Sequence, residues 1–188
     1  MGRWEPDAES RFRAAAIELF GEVGYEQTTV AAIAERAGLT ARTFFRYFAD
    51  KREVLFNGSE RLQQTMVDAL AQAPADASAV DAIAAALTKA GEFFDEDRRS
   101  FARLRSTVIA ANTDLREREL IKMATLSAAL AQALRGRGVC EPDASLAAEA
   151  GIAIFRVAFA QWVCESEERD YGEIVEESLA RLKTLVTS

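Results

Sequence analysis

Arg42 and Arg46 lie one helical turn apart in the run TARTFFRYFADKR, residues 40–52. On a helix they share an outward side with Thr43 and Phe45, because Phe44 and Phe48, also one turn apart, define the inward side. A guanidinium on such a side pairs with a guanine edge or a phosphate. An exposed phenylalanine is out of place against water but suits a thymine methyl or a sugar. Within residues 40–52 the bases Arg42, Arg46, Lys51 and Arg52 face one acid, Asp50. Residues 1–52 are neutral in sum, so residues 53–188 carry the whole net charge of -7. Positive charge is therefore focused where a groove-reading helix needs it, although the chain is too acidic to coat nucleic acid by bulk charge. The blander reading is a solvated face on a small three-helix bundle.

Little else in the chain offers chemistry. Histidine is absent, which removes the commonest general base and transition-metal ligand. Cys140 and Cys164 are too few for a disulfide framework or a four-ligand zinc site. They read as small hydrophobes rather than a redox switch. The acidic run Asp95-Glu96-Asp97 lacks the spacing of a calcium loop. No metal or cofactor is expected. An enzyme would have to rely on carboxylates such as Glu165, Glu167 and Glu168, whose spacing supports no catalytic constellation. Apolar stretches are too short for a membrane span. The first residues, MGRWEPDAESRFR, mix acids with bases and hold no apolar leader core. A cytoplasmic protein is expected, with 188 residues, enough to bury a core.

The elements that must position the basic run follow from periodicity. Three prolines, ten glycines, abundant alanine and recurrent three-four spacing predict an all-α chain of about nine helices. A helix over about 7–23 carries Phe12, Ala16, Leu19, Phe20 and Val23 on one stripe and stops at Gly24. Thr28 and Thr29 offer a cap to a short helix over 30–37, which Gly38 breaks. Thr40 caps a third helix over about 41–47. Asp50 and Glu53 form an acidic capping box for a long fourth helix reaching about Gln72, with Leu55, Leu62, Met66 and Leu70 inward. Later helices are expected over about 78–94, 98–111, 114–135, 142–165 and 170–186, Asp170 and Glu173 repeating the box. Helices two and three, joined by a short glycine-containing turn, have the form of a helix-turn-helix, whose second helix enters the major groove. The small Ala31, Ala32 and Ala34 let these two helices lie close.

The run GYEQTTVAAIAERAGLTARTFFRYFADKREVL resembles the DNA-binding domain of the TetR family of bacterial transcriptional regulators, over about residues 10–55. The resemblance is carried by Leu19-Phe20 with Gly24-Tyr25, by Thr28-Thr29, by the Ile33-Ala34 pair, by the Ala37-Gly38 turn, and by Tyr47-Phe48 with Lys51. It implies a helix-turn-helix DNA-binding domain over residues 1–52 and an effector-binding and dimerisation domain over 53–188. It implies that Thr29 and Lys51 hold phosphates, and that Thr40, Arg42, Thr43, Phe45, Arg46 and Tyr47 lie on the recognition segment, with Arg42 and Arg46 reading bases. The family often has glycine at position 42 and tyrosine at position 45, so Arg42 and Phe45 point to a different operator. The wording RTFFRYF is also similar to a subgroup that includes mycofactocin-type regulators, which implies an acyl-CoA-like effector.

In such a regulatory domain, Leu62, Met66, Phe101, Phe155 and Phe159 are expected to line a pocket, with Arg105 or Arg156 orienting the ligand, a salt bridge or surface position being the blander reading of each arginine. A ligand beside Leu62 and Met66 would shift the fourth helix and, through it, the reading head. Ala150, Gly151, Ile154, Ala158 and Trp162 form a small-residue stripe with a bulky end, and Ile174, Ser178, Leu182 and Leu185 form another. Both stripes suit intramolecular core, and the resemblance implies that they build the four-helix interface of a homodimer. The implied function is a ligand-responsive regulator: a repressor that binds an inverted-repeat operator in double-stranded DNA as a dimer and is released by a small apolar or amphipathic effector. The alternatives are a DNA-binding regulator governed by a protein partner, and an all-α enzyme whose N-terminal module is scaffold.

Overall fold

Helix-forming composition prevails along the whole chain, and the computed structural model, which describes residues 8–187, is helical in every regular element. The helices are α1 (Ala8–Glu22), α2 (Val30–Arg36), α3 (Ala41–Tyr47), α4 (Glu53–Phe56), α5 (Ser59–Gln72) and α6 (Ala79–Ala90). After a 3-10 turn at Gly91–Phe93 come α7 (Glu96–Ala111), α8 (Thr113–Gly136), α9 (Asp143–Trp162) and α10 (Tyr171–Thr187). The expected helix start at Asp7, and the reading of residues 1–7 as free of a leader, lie outside the described residues.

The order matches the all-α expectation, with one division. The helix expected over 50–72 is broken at Asn57-Gly58, where Gly58 takes φ 91°, a left-handed backbone through which no α-helix can pass. A rigid rod from Asp50 to Gln72 is therefore absent. The two acidic boxes also differ. At α10 the box closes both ways: Glu173 N–H donates to Asp170 Oδ1 at 2.8 Å, and Asp170 N–H donates to Glu173 Oε2 at 3.2 Å. At α4 only half forms. Asp50 accepts from the Arg52 and Glu53 N–H groups, while the Glu53 carboxylate accepts from Arg118 at 2.7 Å.

The chain forms two compact units. The first holds residues up to Asn57 together with Leu104–Glu119; the second holds Gly58–Arg103 and the residues from Leu120 onward. These limits differ from the expected 1–52 and 53–188, because α4 and the adjoining ends of α7 and α8 pack with the first three helices. Arg105 Nε donates to the Leu55 carbonyl at 2.7 Å, and Arg118 pairs with Glu53. Phe12, Ile33, Phe44 and Leu115 are fully buried in the first unit; Met66, Leu70, Leu87, Leu130, Leu134 and Ile174 are fully buried in the second. Arginines close the loops by donating to carbonyls at helix ends and in the links that follow them. Arg99 takes Glu167 O and Arg169 O, Arg103 takes Val163 O and Cys164 O, and Arg137 takes Leu70 O, Ala73 O and Pro74 O.

The small-residue stripe of α9 faces inward. Gly151, Ile154, Ala158 and Trp162, with Ile174 of α10, are buried within this chain and are not an exposed face for a second copy. The reason is the approach of α6 to α9: a Cβ built on Gly151 would stand 2.7 Å from Ile83 Cγ2. Ala150, Ser178 and Leu182 are half-buried, and Leu185 is exposed. Gly151→Ala is expected to lower stability by about 1–3 kcal/mol through overpacking. Alanine in a free helix would instead raise stability by about 0.5–1 kcal/mol. The sign of the change in a thermal melt decides, and a raised melting temperature would show that the helices are not in contact there.

Candidate nucleic-acid interface

The interface is built on an aromatic anchor. Phe44, fully buried, meets Phe12 edge-on at a centroid distance of 5.2 Å and Phe48 at 5.1 Å. This fixes the rotation of α3 about its axis and leaves Arg42, Phe45, Arg46 and Tyr47 exposed. Phe45 is 58% exposed and Tyr47 40%. Arg46 Nη2 donates to the Tyr47 hydroxyl at 3.1 Å, and its guanidinium carbon lies 5.2 Å from the Tyr47 ring centre, so the two are held as a pair. Arg42 makes no ion pair among the described residues.

Each short helix is started by a threonine in an extended conformation. Thr29 Oγ1 accepts from Ala32 N–H and Thr40 Oγ1 accepts from Thr43 N–H, both at 3.1 Å. Both threonines remain exposed, and the Thr40 hydroxyl also shares a hydrogen bond with the Thr43 hydroxyl. Between α2 and α3, Gly38 takes φ 65°, and a Cβ there would lie 2.9 Å from Arg11 Nη2, which donates to Ala37 O. Of the three alanines expected between the helices, Ala34 is buried, Ala32 is half-buried and Ala31 is exposed.

The local charge is redistributed by pairing. Arg52 is bound to Asp50 at 2.6 Å, and Arg36 reaches Glu22 at 2.8 Å and Glu18 at 3.4 Å, tying α2 to α1. Lys51 is half-buried, and its ammonium donates to Tyr25 O at 2.8 Å, Thr28 O at 3.2 Å and Glu26 O at 3.4 Å. It also stands 4.2 Å from the Tyr25 ring centre, and burial pushes that hydroxyl up to about 12, so Tyr25 stays neutral. Lys51 thus braces the turn that leads to Thr29, which its residue type alone did not reveal. Arg42 and Arg46 are left as the cations offered by α3 itself.

Four of the residues expected to form a pocket lie in one apolar cluster of the second unit. Met66 and Phe155 are buried in the second core, with Leu62 and Phe159 half-buried against it; Phe101 is half-buried. Arg105 belongs to the first unit, where it donates to Leu55 O and pairs with Glu119 at 3.1 Å. The described residues leave open hollows at the surface, two of which illustrate their character. One of about 410 Å³ lies along α10 beside Arg181 and Leu185, and one of about 800 Å³ lies beside Thr65, Asp68, Thr88 and Lys89. Neither includes an expected pocket residue. Hydrogen bonds from Arg169, its backbone and Gln161 hold the Glu167 carboxyl well below the usual carboxylate range, so it is an ion-pair partner and no proton donor at neutral pH. Among the described residues no His/Cys/Asp/Glu group could hold a metal ion, and no helix is long and apolar enough to cross a membrane.

Fold and site together define a helix-turn-helix protein. The family model of bacterial regulatory proteins of the tetR family matches residues 12–57, and that of the MftR C-terminal domain matches residues 77–187. The chain belongs to the TetR family, in its MftR-like subgroup, and is a DNA-binding transcriptional regulator rather than an enzyme. The regulator TcmR of Streptomyces glaucescens is 41% identical over 71 residues, which cover 38% of this chain and 31% of TcmR. A TetR-family transcriptional regulator from Syntrophomonas wolfei superposes with TM-score 0.68 at 19% identity, covering 96% of this chain and 95% of that one. Thermus thermophilus FadR, a TetR-family repressor solved with lauroyl-CoA, superposes with TM-score 0.53 at 25% identity, covering 93% of each chain.

Proposed function

We propose that this chain is a cytoplasmic, dimeric repressor that reads an inverted-repeat operator with α3 and leaves it when a small apolar or amphipathic effector binds the second unit. The observation that carries the DNA reading is the exposed set Arg42, Phe45, Arg46 and Tyr47 on a helix locked by buried Phe44 and Phe48. Thr29 and Thr40 are offered as phosphate contacts through their hydroxyls, with Thr43 beside Thr40 at 2.9 Å. FadR of Thermus thermophilus, solved with lauroyl-CoA, supports an amphipathic effector. Leu62, Met66, Phe101, Phe155 and Phe159 remain the candidates to meet it.

The dimer is assigned to a face of α9 other than the buried stripe. Leu146, Ala150, Ala153, Val157 and Ala160 repeat at three-four spacing on its outer side, Leu146 being 65% exposed and Val157 59%. The short link 163–170 makes α9 and α10 antiparallel, which sets Leu146 at the same end as exposed Leu185 and Val186. Aliphatic rows of this kind are expected to be covered, and a two-fold partner covers each with its copy.

Equilibrium binding to DNA selected from a random pool tests the reading. Arg46→Ala is expected to weaken binding to selected DNA by about 1–3 kcal/mol and binding to arbitrary DNA by less. Lys51→Ala is expected to weaken both alike and to lower the melting temperature, since a charged hydrogen-bond donor contributes about 1.5–3 kcal/mol. Equal losses on both DNAs for Arg46→Ala would reduce it to a phosphate contact.

A further inference from the structure

Five aromatic rings of the second unit form one set with Phe94 at its centre. The Phe94 ring centroid lies 4.6 Å from Tyr171, 5.5 Å from Phe159, 5.5 Å from Trp162 and 5.8 Å from Phe155. The four receiving rings stand on long helices: Phe155, Phe159 and Trp162 follow one face of α9, and Tyr171 opens α10. Phe94 instead belongs to the link between the 3-10 turn and α7, at φ −122° and ψ 67°, where its N–H donates to Gly91 O at 2.9 Å. A framework of four rings on rigid helices is thus filled by a fifth ring on a short irregular link.

Tyr171 marks what the filler leaves undone. It is 1% exposed, and its hydroxyl has no hydrogen-bond partner among the described residues. Buried hydroxyls are almost always paired, because an unpaired one loses its water for nothing in return. Phenylalanine has no acceptor to offer. Nor does the set supply a cation for an anionic ligand. Arg99, whose guanidinium lies 5.2 Å from the Trp162 ring centre, is already engaged by Glu167 O, Arg169 O and the Glu96 carboxylate.

We propose that these four rings are a ligand seat held by the chain's own Phe94, and that the seat takes an aryl carbonyl group, which displaces Phe94 and accepts a hydrogen bond from the Tyr171 hydroxyl. The proposal rests on the ligand-responsive reading above and names the chemistry of its effector. A flat ring repeats the tilted and edge-on contacts that Phe94 makes, which a straight alkyl chain cannot. The carbonyl supplies the acceptor that Phe94 lacks. Displacement moves the chain two residues before α7, so filling the seat changes how that helix begins.

Calorimetric titration of the full chain with acetophenone, without DNA, tests this. Phe94→Ala empties the seat, so acetophenone is expected to bind this variant about tenfold more tightly than the wild type, which must first release its own ring. Ethylbenzene has nearly the same shape without the acceptor and should bind the variant about fivefold more weakly than acetophenone. Adding Tyr171→Phe should erase that difference. The straight-chain ketone 2-octanone should bind more weakly than acetophenone. If Phe94→Ala does not fold, Phe94→Leu keeps an apolar filler, and the same acetophenone-to-ethylbenzene ratio is read on it. No binding of acetophenone to a folded variant, equal affinity for variant and wild type, or a ratio near one that Tyr171→Phe does not change would overturn the proposal. DNA binding, measured separately, would stand through such a failure, so loss of this inference is distinguishable from loss of the functional reading.

Discussion

Phe44→Ala is expected to remove about 3–5 kcal/mol of stability, the cost of a cavity left by a fully buried ring. Phe44 is fully buried and shares ring contacts with Phe12, Phe45 and Phe48. A loss of that size is a large part of the roughly 5–15 kcal/mol that holds an ordinary domain folded. DNA binding should fall with it, because nothing else fixes the rotation of α3 so directly. Its neighbour provides the contrast. Phe45 is 58% exposed, so Phe45→Ala should change stability by no more than about 0.5 kcal/mol while weakening DNA binding. Denaturant melts and DNA titrations of the two variants separate the residue that positions from the residue that touches. Equal destabilisation by both would mean that the face of α3 is misassigned.

Val157→Glu is expected to split the dimer. A carboxylate buried without a partner costs about 3–5 kcal/mol, and a two-fold interface places one in each copy. Dimerisation should therefore weaken more than about a hundredfold, and sedimentation at micromolar concentration should show a monomer that still melts cooperatively. Operator binding should fall steeply, because each half-site would then hold its α3 alone. Ala158 supplies the control: it is fully buried inside the chain, so Ala158→Glu should unfold the second unit rather than merely separate two copies. A wild-type chain that is already monomeric, or a Val157→Glu chain that remains a dimer, would place the contact elsewhere.

The helix-turn-helix was legible because each of its signals is local. Thr29 and Thr40 sit one residue before their helices, Gly38 interrupts them, and Phe44 and Phe48 fall one turn apart. The second unit was legible as helices but not as faces. α9 carries apolar residues on two sides, and nothing within its own sequence says which side meets α6. Gly151, on a stripe whose sequence suits either core or an interface, is small because Ile83 stands against it, and that contact spans 68 positions. Lys51 and Arg105 share a different difficulty. Their charge suggests a phosphate or a ligand, whereas Lys51 holds the carbonyls of Tyr25 and Thr28, and Arg105 holds the Leu55 carbonyl and the Glu119 carboxylate. The break at Asn57-Gly58 was readable in principle, since a glycine after asparagine is a helix-ending pair. The strong apolar spacing from Leu55 to Leu70 concealed it.

Selection of DNA from a random double-stranded pool, with wild type and Arg42→Ala Arg46→Ala in parallel, tests most directly whether α3 reads sequence. The wild-type chain is expected to enrich an inverted repeat whose half-sites are centred about 10–10.5 base pairs apart or a multiple of that. The double variant should lose preference at the base pairs faced by α3 while retaining salt-dependent affinity for arbitrary DNA. Enrichment of the same repeat by both proteins, or of no repeat by the wild type, would contradict the assignment of α3 as the reading helix.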